Sequence, residues 1–385
     1  MHEQKRHAML PVEDHDELAR ETFVQALKSH IAEDVTPGVR ELHEHRVRPA
    51  HQLHYGVEPL DRHGIKREME REPYYRLWSS VRRASQELLW TSVSDSIERQ
   101  IDDMNAKAAS LARSDRLQLD PDFQMPWYFW GIDIHVMPGG YRGEYAANDV
   151  SRGALYDRGV YVYAQGQMGA LNDDYGSSVV NNYLLKDRKD FRPRRILEMG
   201  GGIGNSLVPY VDAYPDAEVH LIDVGAGLLR YGHARAESMG KNIHFSQQNA
   251  EATNFPDGHF DLIVSHILLH EVPPDALRNI MKECHRLLSD GGLMVHADFP
   301  GYEDLDAITQ FLIDWDTWNN NEPFWGPMRD LDVKQAARDA GFVGECSTMS
   351  CMRECADYVN VPTSRILQSG ERVQSGTLTL LVGVK

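Results

Sequence analysis

The sequence predicts an α/β chain, a doubly wound and mostly parallel seven-stranded sheet over residues 191–385 preceded by a mainly helical region over residues 1–190. Two observations carry this. From residue 195 onward, short apolar segments alternate with helix-length amphipathic ones, the order that parallel βαβ units require. At 196–207, "ILEMGGGIGNSL" runs from a strand-like stretch through a glycine cluster into a helix-like stretch, a bend at which side chains have been removed.

Upstream, residues 15–33 and 74–113 ("YYRLWSSVRRASQELLWTSVSDSIERQIDDMNAKAASLAR") place apolar residues at three- and four-residue spacing with polar faces between, the mark of amphipathic helices. A charged connector with one proline, "KDRKDFRPRR" at 186–195, divides the chain. The candidate strands beyond it are "RILEM", "EVHLID", "IHFSQQ", "FDLIVSHI" and "GLMVHADF", separated by helices near 204–213, 225–239 and 274–288. A sixth strand, "GFVGECSTM", follows a helix at 331–340, and "GTLTLLVGVK" closes the sequence. With no helix between these last two, a hairpin with an antiparallel final strand is expected. No internal repeat or low-complexity segment interrupts the order.

Composition excludes several functions. A formal charge of −18 and a pI near 5.4 repel a phosphate backbone, so no nucleic-acid partner is expected. No apolar run approaches the roughly 20 residues of a membrane helix, and the first residues lack a signal-peptide core, so the expected location is cytoplasmic with no membrane partner. Cys284, Cys346, Cys351 and Cys355 are few and mostly scattered, which reads as reduced thiols and no metal site.

The glycine bend asks for a ligand. In such a sheet ligands bind at the carboxyl ends of the strands, where glycines let backbone and helix N-terminus approach closely. A nicotinamide-type GxGxxG fails, because Asn205 or Leu207 stands where the third glycine belongs; Gly200, Gly202 and Gly204 instead give GxGxG. Glu198 precedes them, and Asp223 ends the second strand, where a carboxylate can accept both hydroxyls of a ribose.

This pattern resembles the class I S-adenosylmethionine-dependent methyltransferases over roughly residues 190–385. "LEMGGGIG" is similar to the family's first motif, "HLIDVG" to its ribose-binding strand end, "QNAEATNFPDGHFDLIVSHILLHEV" to the adenine-flanking segment and fourth strand, and "LLSDGGLMVHAD" to the approach to the fifth. The resemblance implies a Rossmann-like sheet and S-adenosyl-L-methionine as cofactor, with Gly200, Gly202 and Gly204 at its methionine part. It further implies Asp223 and Val224 at the ribose, Asn249, Ala250 and Glu251 about the adenine, and Glu198 and Ser265 near the cofactor. Asn249 departs from the aspartate often found there, but its side-chain oxygen can still accept from the adenine amine.

The acceptor is expected to be a small molecule. The amino-methyltransferase signature for nucleic acids, two prolines followed by an aromatic, is absent from "EVPPD". Two aromatic-rich stretches, 125–141 ("MPWYFWGIDIHVMPGGY") and 311–328 ("FLIDWDTWNNNEPFWGPM"), supply candidate substrate residues Trp127, Trp130, His135, Tyr141, Trp315, Trp318, Asn319, Phe324 and Trp325. Core packing is the competing reading for any one of them. In "SHILLHEVPPD", His270 resembles the histidine that ends the fourth-strand region of small-molecule O-methyltransferases, with Glu271, Asp298 or a carboxylate of the 314–322 insertion as the orienting acid; its role would be general base, with His266, His135 and deprotonation by solvent as rivals. Oxygen is the first-choice acceptor atom, with nitrogen, sulfur and carbon open. A cofactor-binding scaffold without turnover stands as the alternative. The helical region is expected to cap the site or form a homodimer interface, with 125–183 as a glycine-punctuated lid.

Overall fold

The computed structural model describes residues 4–58, 61–113, 115–303, 305–342, 356–366 and 372–385. Its eight strands are β1 Leu117–Gln118, β2 Arg195–Met199, β3 Glu218–Asp223, β4 His244–Gln247, β5 Phe260–His266, β6 Leu288–Asp298, β7 Asp357–Ile366 and β8 Arg372–Val384. They form one sheet in the order β1-β4-β3-β2-β5-β6-β8-β7. The first six run parallel to one another, and β8 lies antiparallel between β6 and β7.

The strands are apolar on both faces because both are covered. Ile196 to Met199 and Leu262 to His266 are buried throughout, as parallel strands under crossover helices should be. The helices Val208–Ala213, Ala226–Ser238 and Pro274–Leu287 make the crossovers. One core face centres on Met199, Ile222, Ile263, Met294 and Leu277, the other on Ile196, Leu221, Phe245, Val264 and Tyr210. Strand order reverses between β2 and β5, and this switch point opens a crevice at their carboxyl ends.

The helical N-terminal region is built around His15–His30 and the 39-residue helix Pro73–Leu111. A capping box fixes the start of the first: the Asp14 carboxylate accepts the Asp16 and Glu17 amides, and Glu17 returns to the Asp14 N–H. Trp90, Val93 and Ile97 of the long helix pack with Leu155, Val162 and Tyr231, seating the helix Ser151–Tyr163 between the long helix and Ala226–Ser238. A buried polar knot fastens the contact. Asp157 accepts from Gln4, Asn172, Tyr231 and Arg235 and meets His7; against the cost of burial, Arg235 and His7 hold its carboxyl down at about 2.

Three details depart from expectation. Leu117–Gln118 of the upstream region pairs with β4 and adds an eighth strand at the sheet edge. The strand expected at "GFVGECSTM" is not where the hairpin partner lies: Gly341 and Phe342 are outside any strand, residues 343–349 fall outside the described residues, and β8 pairs instead with β7. The strand expected from Gly292 begins at Leu288, because Leu288 already pairs with Phe260 before the register shifts. Cys284 is a buried free thiol; Cys346, Cys351 and Cys355 lie outside the described residues. Among the described residues no helix is long and apolar enough to cross a membrane, and no cluster of His, Cys, Asp and Glu is arranged to hold a metal.

Candidate functional site

Two cavities meet at the switch point. The first, about 690 Å³, lies over the glycine loop and is lined by Gly200, Gly202, Asp223, Val224, Gln248, Asn249, Ala250, Leu268, Glu271 and Val272, roofed by Tyr128, Phe129, Tyr141 and Tyr156. The second, about 1020 Å³, lies on the other side of Gly200, between Glu198, His266, His270, Phe299 and Trp325 and the rings of Trp90, Tyr163 and Tyr175. Tyr156, Gly200, His266 and Ile267 line both.

The loop conformation explains its glycines. Gly200, Gly202 and Gly204 take left-handed φ values of +64°, +54° and +73°, which β-carbon-bearing residues adopt only at a cost. At Gly202 a β-carbon would stand in open space, whereas at Gly204 it would press on Phe245 and Leu221. Gly202 therefore presents bare backbone to the cavity, and Gly204 packs the loop down on the sheet. The Gly202 and Gly225 amides donate to Asp223 Oδ2 and Oδ1 at 2.9 and 2.8 Å. Burial nonetheless pushes the Asp223 carboxyl up to about 6. Asn249 uses its Oδ1 to accept the Glu251 amide (3.0 Å), and Glu251 accepts from the Tyr128 hydroxyl (2.9 Å) at the cavity edge.

Glu198 and Ser265 leave this cleft. Glu198 points to the second cavity and accepts from His266 Nδ1 at 2.6 Å, while its Oε2 is buried without a hydrogen-bond partner among the described residues. Ser265 is fully buried and bonds His296 Nδ1 at 2.6 Å; side chains alternate along β5, so the neighbouring His266 takes the cavity side.

The helical turn after β5 supplies His270 and Glu271. His270 is 2% exposed, its Nδ1 lies 2.7 Å from Asp298 Oδ1 at the end of β6, and its ring stacks on Trp325 at 4.6 Å. Burial favours the neutral ring, but the Asp298 carboxylate outweighs it and holds the His270 pKa above the usual histidine value. Glu271 Oε1 accepts from the Tyr141 hydroxyl (2.9 Å) and His135 Nε2 (3.0 Å), and His135 Nδ1 meets Glu322 Oε1 at 2.9 Å. Flanked by two buried carboxylates, His135 is held well above its ordinary pKa despite its own burial. His135, Tyr141, Glu271 and Trp325 thus come together, as singled out in the sequence.

Several aromatic candidates do not. Trp127 and Trp130 are 73% and 63% exposed, while Tyr128 and Phe129 are buried. Residues Trp127–Phe129 form a three-residue-per-turn helix, so positions 127 and 130 share the outer face and 128 and 129 turn inward. Trp315 is core, bonding Ser79 and packing on Trp78; Trp318 packs on Phe311. Asn319 closes its helix, its Nδ2 donating to the Trp315 carbonyl, and Phe324 packs on Tyr128. Among the lining residues not singled out in the sequence, Trp90 lies on the long helix, whose apolar spacing signalled packing alone, while Tyr156, Tyr163 and Tyr175 lie in the 125–183 segment, whose glycines signalled a lid.

Residues 196–292 match the family described as "Methyltransferase domain". The matched residues are a class I, S-adenosylmethionine-dependent methyltransferase domain. It spans the glycine loop, Asp223, Asn249 and the His270–Glu271 turn. The ubiquinone/menaquinone biosynthesis C-methyltransferase UbiE of Methylobacterium nodulans is 31% identical over 129 residues, 32% of this chain and 50% of that protein. The demethylmenaquinone methyltransferase of Thermus thermophilus is 30% identical over 108 residues, 28% of this chain and 48% of that protein. The chain spans about half the length of these curated relatives. Among solved structures, "PigF with SAH" covers 77% of this chain and 73% of its own at 16% identity and a TM-score of 0.44. An O-methyltransferase family protein from Burkholderia thailandensis covers 62% and 61% at 17% identity and a TM-score of 0.40. The methyltransferase domain uses S-adenosyl-L-methionine, and the left-handed, side-chain-free Gly202 beside the buried Asp223 carboxylate fits that cofactor.

Proposed function

We propose that this chain is a methyltransferase for a small, largely aromatic molecule, whose acceptor end enters the second cavity and whose acceptor atom is first of all a hydroxyl oxygen. The observation that carries the reading is the junction of the two cavities at Gly200, His266 and Ile267, with the His270–Asp298 pair on the acceptor side. The glycine loop would hold the cofactor, with Gly200 and Gly202 at its methionine part, Asp223 accepting from the ribose, and Asn249 and Ala250 beside the adenine. When bound it supplies an electrophilic methyl group. The rings of Tyr128, Phe129, Tyr141 and Tyr156 favour a positive charge at that place and exclude water.

The chain's own contribution is positioning and one proton transfer. Asp298 holds His270 Nδ1, leaving Nε2 as the nitrogen that takes the acceptor's proton. Because Asp298 raises the imidazole pKa, the base form grows in as pH rises above the ordinary histidine range. Asp298 acts as a positioning residue. Glu271, whose Oε1 accepts from His135 and Tyr141 and lies 3.7 Å from His270 Nε2, fixes the roof and does not move the proton. A second reading, transfer to a ring carbon, is favoured by the names of the matched C-methyltransferases; the same base would deprotonate a neighbouring phenol.

The test is turnover of labelled cofactor by the purified chain with hydroxylated aromatic compounds. Methylation that depends on the second compound is expected, and its absence across such compounds would sink the reading; the methyl resonance of the product separates oxygen from carbon. His270→Ala should lower kcat about 100-fold or more with S-adenosylhomocysteine affinity unchanged. Near-normal turnover in that variant would retire the base.

A further inference from the structure

Beside the aromatic cavity, on the side of the long helix, lies a vestibule of about 1150 Å³ whose lining includes Lys28, Arg82, Trp315 and Asp316. Gln86, Tyr163, Ala164 and Met168 line both spaces, so these residues are a shared wall. Met168 is its adaptable part, an unbranched side chain in a loop where Gly166 and Gly169 take φ of +72° and +86°.

The charges of the vestibule are unevenly matched. Arg82 Nη2 donates to both Asp316 oxygens (3.2 and 3.0 Å), and the guanidinium lies 4.0 Å over the Trp315 ring. Lys28 meets no carboxylate within ion-pair distance among the described residues. Its Nζ donates to Gln86 Oε1 at 2.7 Å and lies 4.8 Å from the centre of the Tyr163 ring. The other end of Gln86 donates to the His135 carbonyl at 3.0 Å, so one side chain links the vestibule cation to the segment that carries the cavity wall. With Arg82 and Asp316 cancelling, one positive charge is left, which suits a singly charged carboxylate better than a phosphate.

We infer that the vestibule binds a carboxylate carried by the acceptor molecule, with Lys28 as its cation, while the ring of the same molecule occupies the aromatic cavity. The inference rests on the proposed reading of that cavity as the acceptor site. Burial and the nearby Arg82 push the free Lys28 ammonium down to about 7, with Asp316 pulling the other way. The remaining groups facing it, Gln86 and the Tyr163 phenol, are uncharged. A bound carboxylate favours the ammonium, so binding takes up a proton and weakens as pH rises through neutrality.

Calorimetry with the full chain saturated in S-adenosylhomocysteine, using phenylalkanoic acids of increasing chain length and their amides, tests this. Below pH 7, the best acid should bind about ten-fold or more tighter than its amide. The preference should vanish in Lys28→Gln, which leaves amide affinity unchanged, and should fade as pH rises above 7. Trp325→Leu should weaken acid and amide alike. Equal binding of acid and amide by the wild type, or a preference that survives Lys28→Gln, overturns the carboxylate site; amides that still bind and still respond to Trp325→Leu leave the cavity reading standing. A Lys28-dependent preference equally strong for acetate and indifferent to Trp325 overturns the link to the acceptor. If no acid binds measurably, protection of Lys28 from trinitrobenzenesulfonate at pH 7 is the second readout, and no protection by any of the acids overturns the proposal.

Discussion

Because Asp223 accepts the Gly202 and Gly225 amides while burial raises its carboxyl to about 6, the same group shapes the loop and, on the proposed reading, receives the ribose. Ribose hydroxyls donate to the ionised form and so bind it in preference. S-Adenosylhomocysteine affinity should therefore fall as pH drops through about 6. Asp223→Ala should cost roughly 1–3 kcal/mol of binding and flatten that profile, both readable by calorimetry; a variant with wild-type affinity would reject the ribose role. At this scale the glycine loop and Asp223 were legible, because a left-handed backbone demands glycine and a strand-end carboxylate has few structural reasons to exist. The aromatics were not. Trp127 and Tyr128 are adjacent and chemically alike, and only the tight turn decides that one faces solvent and the other the cavity over the glycine loop.

Among elements, His135 is the tie between three of them: the 125–141 segment that carries it, the turn after β5 through Glu271, and the 314–322 insertion through Glu322. His135→Ala would leave two buried carboxylates facing one another with no cation between. A loss of about 3–5 kcal/mol in denaturant unfolding at pH 7 is expected. The histidine's folded pKa is raised, so its contribution is complete below about 6.5 and is lost only as pH rises through the folded value. The variant should recover part of the loss in acid, where Glu271 and Glu322 take up protons. A loss within experimental error at both pH values would show the network to be inert. The parallel strands were legible for a related reason, since double burial writes a continuous apolar run such as Ile196 to Met199. The two-residue β1 carries too little pattern to be read, and its pairing with β4 follows only from where the long helix delivers the chain.

For the whole molecule, the question is whether residues 125–183 form a fixed roof or a closing one. Tyr128, Phe129, Tyr141 and Tyr156 line the cavity over the glycine loop, and Tyr163, Met168 and Tyr175 line the second cavity. A ligand in either space would complete contacts that the inner rings otherwise lack. The connections between these residues pass through left-handed glycines at 131, 139, 140, 166 and 169, so the roof is short pieces joined at permissive points, laid over a sheet in which, among the described residues, only Gly291 of β6 is such a joint within a strand. Amides whose exchange requires the roof to lift must then wait for ligand release. At a ligand concentration of about 100 times Kd this adds about 2.7 kcal/mol to their opening. Hydrogen exchange should show that protection around residues 128–141 with S-adenosylhomocysteine alone and extend it to 156–175 once an acceptor analogue is added. The amides of β2 and β5, already closed by pairing, should change little in either case. Exchange over 125–183 that ignores both ligands would mean that the roof is rigid, and that substrates reach the cavity by another path, such as the vestibule beside Met168.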